Sequence, residues 1–281
     1  MVRIVRSIQS MKAFSESCRA DGRSVGLVPT MGYLHDGHMS LVRASREEND
    51  VTVVSIFVNP IQFGLGEDLD RYPRDEARDL TLLEAGRVDC LFAPPAEEMF
   101  PSDHSVTVDE SSISLPMCGA SRPGHFQGVC TVVLKLVNVV RPHRVYFGMK
   151  DYQQLQVVRR MVRDLNVPVE IRPCPLLREL DGLALSSRNA YLSPEERRSA
   201  LSLSQALFKA KKTFEAGERS ARVLVDSCLA VLAQEASLRP EYVELRDALD
   251  LSPVEQIDSP VVLAMAVRVG TTRLIDNVVL G

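Results

Sequence analysis

His35 and His38 stand three residues apart in the stretch V-P-T-M-G-Y-L-H-D-G-H-M-S, positions 28–40. An apolar run from Val25 to Val28 leads into it and stops at Pro29. A turn then carries Gly32, His35, Asp36, Gly37 and His38, and Met39 to Glu47 reads as a helix. A strand, a turn bearing glycine and histidine, and a helix in that order are how α/β nucleotide sites receive phosphates. The helix N-terminus offers unused backbone N–H groups and a partial positive charge, and glycine lets the backbone approach the ligand closely. Two imidazoles at that point can face one phosphoryl group. Taken alone, an H-x-x-H pair is more often two unrelated surface histidines or half of a metal site, so its meaning depends on partners elsewhere.

Other groups fit the same chemistry: Asn59 and Gln62 in N-P-I-Q-F-G, Arg122 and His125 in R-P-G-H-F-Q-G, Lys150, Asp151 and Gln154 at a helix start, and Ser186, Ser187 and Arg188 in one loop. They fall in loops after strands or at helix starts. Cations, amides and hydroxyls dominate, with no carboxylate cluster. Such a set suits binding a polyphosphate and stabilising charge on a transferring phosphoryl group, and does not suit holding a metal through protein ligands. Each member has a plainer reading. Lys150-Asp151 alone is a helix N-terminus with a capping carboxylate, Ser186–Arg188 alone a turn, and Gln62 and Gln154 alone solvated polar residues. His104 and His143 read as structural or surface. The signal lies in the combination and its order.

The elements that must position these groups follow from hydrophobic patterning. Ile4 to Cys18 has helical spacing, with Ile8, Met11 and Phe14 along one side. Val51 to Val58 is nearly continuous and β-branched, as expected of a strand buried on both faces of a parallel sheet. Asp75 to Ala85 reads as a helix closed by Gly86, Val88 to Ala93 as a strand, and His104 to Glu110 as an edge or hairpin strand. Ser121 to Gly128 reads as a turn before a helix over Val129 to Val140. Arg144 to Gly148 and Val167 to Arg172 read as strands flanking a helix from Tyr152 to Leu165. This alternation defines an α/β fold with a parallel sheet, expected to occupy residues 1–177. The pattern changes after Leu177. Gly182 is a candidate hinge, Leu185 to Asn189 a polar loop, Pro194 to Glu215 and Ala221 to Ser237 amphipathic helices, and Tyr242 to Leu245, Val261 to Val269 and Thr271 to Val279 strands. Residues 178–281 are therefore expected to form a smaller α+β domain.

The chain has 281 residues, 45% hydrophobic and 25% charged, with a net charge of −4. Interspersed charges and an acidic balance argue against a nucleic-acid partner, which would need a basic face. No apolar run is long enough to span a membrane and the N-terminus lacks a signal-peptide core, so a cytoplasmic location is expected. The six cysteines include no C-x-x-C pair and read as reduced, mostly buried thiols.

Five motifs together carry a resemblance: V-P-T-M-G-Y-L-H-D-G-H-M-S-L-V-R, F-V-N-P-I-Q-F-G, R-P-G-H-F-Q-G-V, Y-F-G-M-K-D-Y-Q-Q and D-G-L-A-L-S-S-R-N-A-Y-L-S. In order and spacing they resemble the pantothenate synthetase (pantoate–β-alanine ligase) family. Cytidylyltransferases and class I aminoacyl-tRNA synthetases share the H-x-G-H turn and a later basic-serine loop, but lack the glutamine pair and the R-P-G-H-F turn.

The resemblance implies a Rossmann-like, nucleotidyltransferase-type parallel-sheet domain with a smaller C-terminal α+β lid. It implies ATP-dependent condensation of (R)-pantoate with β-alanine through pantoyl adenylate, releasing pyrophosphate and AMP. By matched position, Met31, Gly32, Tyr33, Leu34, His35, Asp36, Gly37 and His38 would line the ATP site, with His38 the proton donor to departing pyrophosphate. Gly148, Met149, Lys150, Asp151, Leu177, Leu185, Ser186, Ser187 and Arg188 would complete it. His35, His38, Lys150 and Arg188 would neutralise developing charge. Gln62 and Gln154 would hold pantoate, with Gln62 also placing β-alanine and Asn59 and His125 assisting. Mg²⁺ would ride mainly on the ATP phosphates, and a homodimer is expected. Tyr33 stands where the family usually has a smaller or amide residue, and Met149 where Glu or Gln is more usual. The competing readings are a nucleotidyltransferase that stops at a nucleotide-linked product and a regulatory module that binds ATP without turnover.

Overall fold

The computed structural model describes residues 1–64 and 66–281. In chain order the described elements are β1 (Arg3–Val5), α1 (Ile8–Ala20), β2 (Val25–Thr30), α2 (Asp36–Glu48), β3 (Val51–Ile56), α3 (Glu76–Ala85), β4 (Cys90–Phe92) and α4 (Ala96–Met99). There follow α5 (Cys118–Ser121), α6 (His125–Val140), β5 (Arg144–Gly148), α7 (Tyr152–Asp164) and β6 (Glu170–Cys174). The chain finishes with α8 (Pro194–Glu215), α9 (Ala221–Leu232), β7 (Leu238–Asp247), β8 (Val261–Val269) and β9 (Thr272–Leu280). They form two compact units, one of Met1–Ser111, Arg122–Met149 and Val157–Pro175, the other of Ser112–Ser121, Lys150–Gln156 and Leu176–Gly281.

The first unit is built on a parallel sheet in the order β1-β4-β3-β2-β5-β6. Residues 51–55 of β3 are all buried, consistent with a strand covered on both faces. Strand order reverses between β2 and β5, and ligands of open α/β sheets bind beyond the strand ends at such a switch point. There β2 pairs with β5 only at Gly26 and Leu27, although β2 continues to Thr30 and β5 to Gly148. The adjoining core contains Val28, Leu34, Met39, Val42, Val54 and Leu91. Leu34 and Met39 thus anchor both sides of the histidine turn, and burying each contributes about 2 kcal/mol.

The second unit is built on a three-stranded antiparallel sheet, β7-β8-β9. Its core joins β8 to Leu203 and Leu207 of α8 and Leu224 and Cys228 of α9. Ser193 and Glu196 form a reciprocal capping box that starts α8, with Pro194 in its first turn.

The α/β class and parallel sheet match the expectation from patterning, and several local readings change. Residues 3–5 are a strand and α1 begins only at Ile8, capped by Ser7. Parallel pairing with β4 overrides the helical spacing there. β2 runs through Pro29, where β5 has already stopped pairing, so on that side the missing N–H costs no ladder bond. Residues 104–110 form no strand, and the Val108 N–H donates to the Thr131 hydroxyl at 2.9 Å instead. The helix expected from Val129 begins at His125, because Gly124 (φ 82°) ends the turn immediately before it.

The six cysteines are free and buried, as expected. Burial pushes the Cys90, Cys130 and Cys228 thiols up to about 12 and Cys174 to about 11.

Candidate active site

The histidine turn leaves β2 at Thr30, whose hydroxyl donates to the Ser55 carbonyl at 2.8 Å and accepts from the Gly32 N–H at 3.1 Å. Gly32 (φ 84°) and Tyr33 (φ 51°) both adopt left-handed backbone. That conformation is easy for glycine and costs roughly 1–2 kcal/mol for tyrosine. The Asp79 carboxylate on α3 accepts from the Tyr33 N–H at 2.8 Å and the Leu34 N–H at 2.7 Å. Burial pushes the Asp79 carboxyl upward, against those two bonds that favour its charged form.

His35 caps α2. Its Nδ1 accepts from the Gly37 N–H at 3.1 Å, which puts the proton of a neutral ring on Nε2. His38 lies in the first turn of α2, its ring 4.1 Å from that of His35 between centroids. Paired imidazoles at a helix start are a set of groups that can receive an anion.

Asn59 and Gln62 flank the short turn after β3. Both are buried. Asn59 Nδ2 donates to Gln62 Oε1 and to the Gly128 carbonyl, each at 3.1 Å. Gln62 Nε2 donates to Met31 Sδ at 3.1 Å, tying this loop to the histidine turn. Asn59 Oδ1 is buried with no hydrogen-bond partner among the described residues, leaving an acceptor for a ligand hydroxyl or amine. Gly128 presses α6 against the Gln62 backbone.

His125 Nδ1 lies 2.9 Å from the Gln62 carbonyl, which can only accept, so Nδ1 carries the proton. Nε2 is then left to accept from Arg122 Nη1 at 3.0 Å. Arg122 also makes two 2.6 Å bonds to Glu67. The sequence offers Arg122 as a cation for phosphate, but in the structure its guanidinium is held by Glu67 and supports the Gln62 loop.

Burial disfavours the Glu67 carboxylate, yet the Arg122 bonds and charge more than offset it and hold the carboxyl at about 2, against an ordinary 4.5. Because the folded value lies below the unfolded one, the pair's stabilisation is complete above pH 4.5 and is lost as pH falls through about 2. A difference of this size corresponds to at most about 3–4 kcal/mol. Glu67→Gln should therefore flatten the acid limb of stability between pH 4.5 and 2, read by urea unfolding at stepped pH. An acid limb identical to wild type would rule the pair out as its source.

The candidates from Lys150 onward belong to the second unit. Lys150 Nζ stands 3.9 Å from Asp151 Oδ2, and the Lys150 carbonyl accepts from Asn277 Nδ2 of β9 at 2.9 Å. Gln154 is half-buried on α7. Leu177 and Leu185 close a small hairpin, the Leu185 N–H donating to the Leu177 carbonyl at 3.0 Å. Gly182 (φ 98°), a hinge candidate in the sequence, forms the hairpin's turn. Arg178 anchors the hairpin through a bidentate pair with buried Asp276 of β9, at 2.7 and 2.9 Å. Ser186 then caps a short 3₁₀ turn, Ser187–Tyr191, which carries Arg188. Lys150 and the serine–arginine loop are thus fastened to consecutive residues of one strand, Asp276 and Asn277.

In the first unit the structure brings Met31, His35 and His38 to the turn and helix start after β2, Asn59 and Gln62 to the turn after β3, and His125, at the start of α6, against the Gln62 carbonyl. In the second it brings Lys150, Asp151, Leu177, Leu185 and Ser186–Arg188 under the control of β9 and the hairpin. Asp79 and Glu67, which hold the first set, carry no sequence signal of their own. No group of three or more His, Cys, Asp or Glu side chains able to hold a metal occurs among the described residues. Among them, no helix is long and apolar enough to cross a membrane.

The reversed parallel sheet with an H-x-G-H turn after β2 defines an α/β fold of the nucleotidyltransferase type. The family model for pantoate-beta-alanine ligase matches residues 3–279. The pantothenate synthetase of Thermotoga neapolitana is 56% identical over 280 residues, covering 100% of both chains. That of Geobacter sulfurreducens is 53% identical, covering 100% of this chain and 99% of its own. The crystal structure of pantothenate synthetase from Thermus thermophilus matches with a TM-score of 0.93 at 46% identity, over 99% of each chain. A Francisella tularensis pantoate-beta-alanine ligase, complexed with beta-gamma ATP and beta-alanine, matches with a TM-score of 0.83 at 31% identity, over 99% of this chain and 97% of its own. The chain belongs to the pantoate–β-alanine ligase family.

Proposed function

We propose that this chain condenses (R)-pantoate with β-alanine at the expense of ATP, forming pantothenate, AMP and pyrophosphate. The observation that carries this reading is the union, at one switch point, of a two-histidine helix-start turn with a buried glutamine tied to it through Met31. The turn suits phosphates, and the Asn59–Gln62 pair offers amides to an acid.

Chemistry proceeds in two displacements. A pantoate carboxylate oxygen attacks the α-phosphorus and the bond to pyrophosphate breaks, giving pantoyl adenylate. The β-alanine amine then attacks the acyl carbon, AMP departs, and the nitrogen releases a proton. A carboxylate is a poor acyl donor, and adenylation supplies the leaving group.

The first step brings anions together, so donors fixed in advance are worth a few kcal/mol each. His38 gives a proton to departing pyrophosphate, while His35, Lys150 and Arg188 balance the charge. By resemblance to the family, Met31–His38 bind ATP, as do Gly148–Asp151, Leu177 and Leu185–Arg188. Gln62 and Gln154 orient pantoate, Gln62 also places β-alanine, Asn59 and His125 assist in the substrate site, and Mg²⁺ would be carried mainly by the ATP phosphates. Residues 1–177 act as the catalytic domain and 178–281 as a lid, whose hairpin and 3₁₀ turn carry the serine–arginine loop. Family resemblance supports a cytoplasmic homodimer as the working form.

The test is release of AMP and pyrophosphate on adding ATP. Release that requires both pantoate and β-alanine is expected. A stable nucleotide-linked product needing no amine, or ATP binding without turnover, would overturn the reading.

A further inference from the structure

The histidine turn contains a tyrosine in left-handed backbone at Tyr33, next to Gly32. The Thr30 hydroxyl steadies Gly32 from within the turn, but the tyrosine that follows resists that shape. The holding groups come from α3, some 45 residues further on. Asp79 is 1% exposed, and each of its carboxylate oxygens accepts one N–H from the turn: Oδ2 from Tyr33 at 2.8 Å and Oδ1 from Leu34 at 2.7 Å. Its neighbour Arg78 lays its guanidinium over the Tyr33 ring, 4.9 Å from the centroid, and lies 3.9 Å from Asp79 Oδ1. A β-carbon on Gly32 would sit 3.2 Å from Asp79 Oδ2, so the carboxylate is packed directly beneath the turn.

We propose that Asp79 is a positioning residue for nucleotide binding: its carboxylate holds the Tyr33–Leu34 backbone in the shape that presents His35, His38 and the α2 N–H groups to the phosphates, with Arg78 bracing the ring from outside. The proposal rests on the reading of this turn as the phosphate site. Carboxylate-to-N–H bonds of this kind, lost from a buried place, change an equilibrium by about tenfold or more. Asp79→Asn keeps the volume but turns an amide donor toward one of the two N–H groups.

The experiment measures KM for ATP, KM for pantoate, kcat and thermal melting for wild type, Asp79→Asn, Asp79→Asn with Tyr33→Gly, Arg78→Ala and His38→Ala. Asp79→Asn is expected to raise KM for ATP by about tenfold or more while leaving KM for pantoate within about twofold. Adding Tyr33→Gly should recover several-fold of the lost ATP affinity, because glycine holds φ near 51° without the carboxylate. A purely structural role for Asp79 would affect both substrates together and gain nothing from that glycine. If Asp79→Asn does not fold, Arg78→Ala, whose side chain is 44% exposed, must still raise KM for ATP by about two- to threefold. An unchanged KM for ATP in the folded Asp79 variant, or in Arg78→Ala where that variant does not fold, with His38→Ala slow, overturns the role of Asp79 alone. His38→Ala at wild-type speed overturns the phosphate-turn reading, and this inference with it.

Discussion

Alanine at position 38 is expected to lower the rate of adenylate formation by about two to three orders of magnitude while the fold stays intact. The side chain is partly exposed in the first turn of α2, and the turn is held by other groups: Leu34 and Met39 in the core, the Asp79 carboxylate and the Thr30 hydroxyl. Removing the imidazole therefore leaves the helix start and its N–H groups in place. On the proposed function, what disappears is the donor to the charge that develops as pyrophosphate leaves, and such donors act far more on the transition state than on bound ATP. The measurement is pyrophosphate release in a single turnover with pantoate and ATP, without the amine. A large fall in rate with near-normal ATP binding is the expected signature. A near wild-type rate would remove His38 from the chemistry.

Gly128→Ala is expected to damage pantoate use almost as severely. A β-carbon built there lies 2.5 Å from the Ile61 carbonyl oxygen and 2.7 Å from both N and Cα of Gln62. These are backbone atoms, so no rotamer change relieves the clash, and either α6 or the loop after β3 must shift. α6 is buried along most of its length, which makes the loop the part that yields. Moving the loop breaks the bond from Asn59 to the Gly128 carbonyl and carries Gln62 away from Met31. A displacement of about 1 Å at a positioning group costs about a hundredfold, and overpacking of this kind destabilises by about 1–3 kcal/mol. Steady-state kinetics should show kcat/KM for pantoate down by about two orders of magnitude, with ATP binding measured separately and much less affected. Wild-type kcat/KM in the folded variant would mean that Gln62 does not need this seat.

Much of the fold was legible in local pattern. The β-branched run at Val51, the helical spacing of Tyr152 to Leu165 and the amphipathic pattern from Pro194 to Glu215 each specify their element with little help from elsewhere. β1 was not legible, because three residues carry too little periodicity and only their pairing with β4 makes them a strand. The alternation over 104–110 misled for the opposite reason: alternation alone cannot make a strand when the Val108 N–H is taken by the Thr131 hydroxyl. At the site, His35, His38, Gln62 and Lys150 announced themselves because each sits in a compact motif. The groups that hold them did not. Asp79 meets its turn across 45 positions and Glu67 meets Arg122 across 55, and no local pattern records such a contact. Arg122 shows the cost of reading a cation by type alone, since its partner decides whether its charge is available.

The buried sulfur atoms have a practical use. All six thiols are buried, which shields them from thiol-directed dyes, and the four raised to about 11 or 12 form almost no thiolate at neutral pH. The chain is therefore silent toward labelling without any cysteine having to be deleted. Leu180, fully exposed in the hairpin ahead of the serine–arginine loop, offers a seat for one reactive sulfur. A fluorophore attached through Leu180→Cys would report on that hairpin from a single known point, giving the proposed lid an optical clock that runs on the native background.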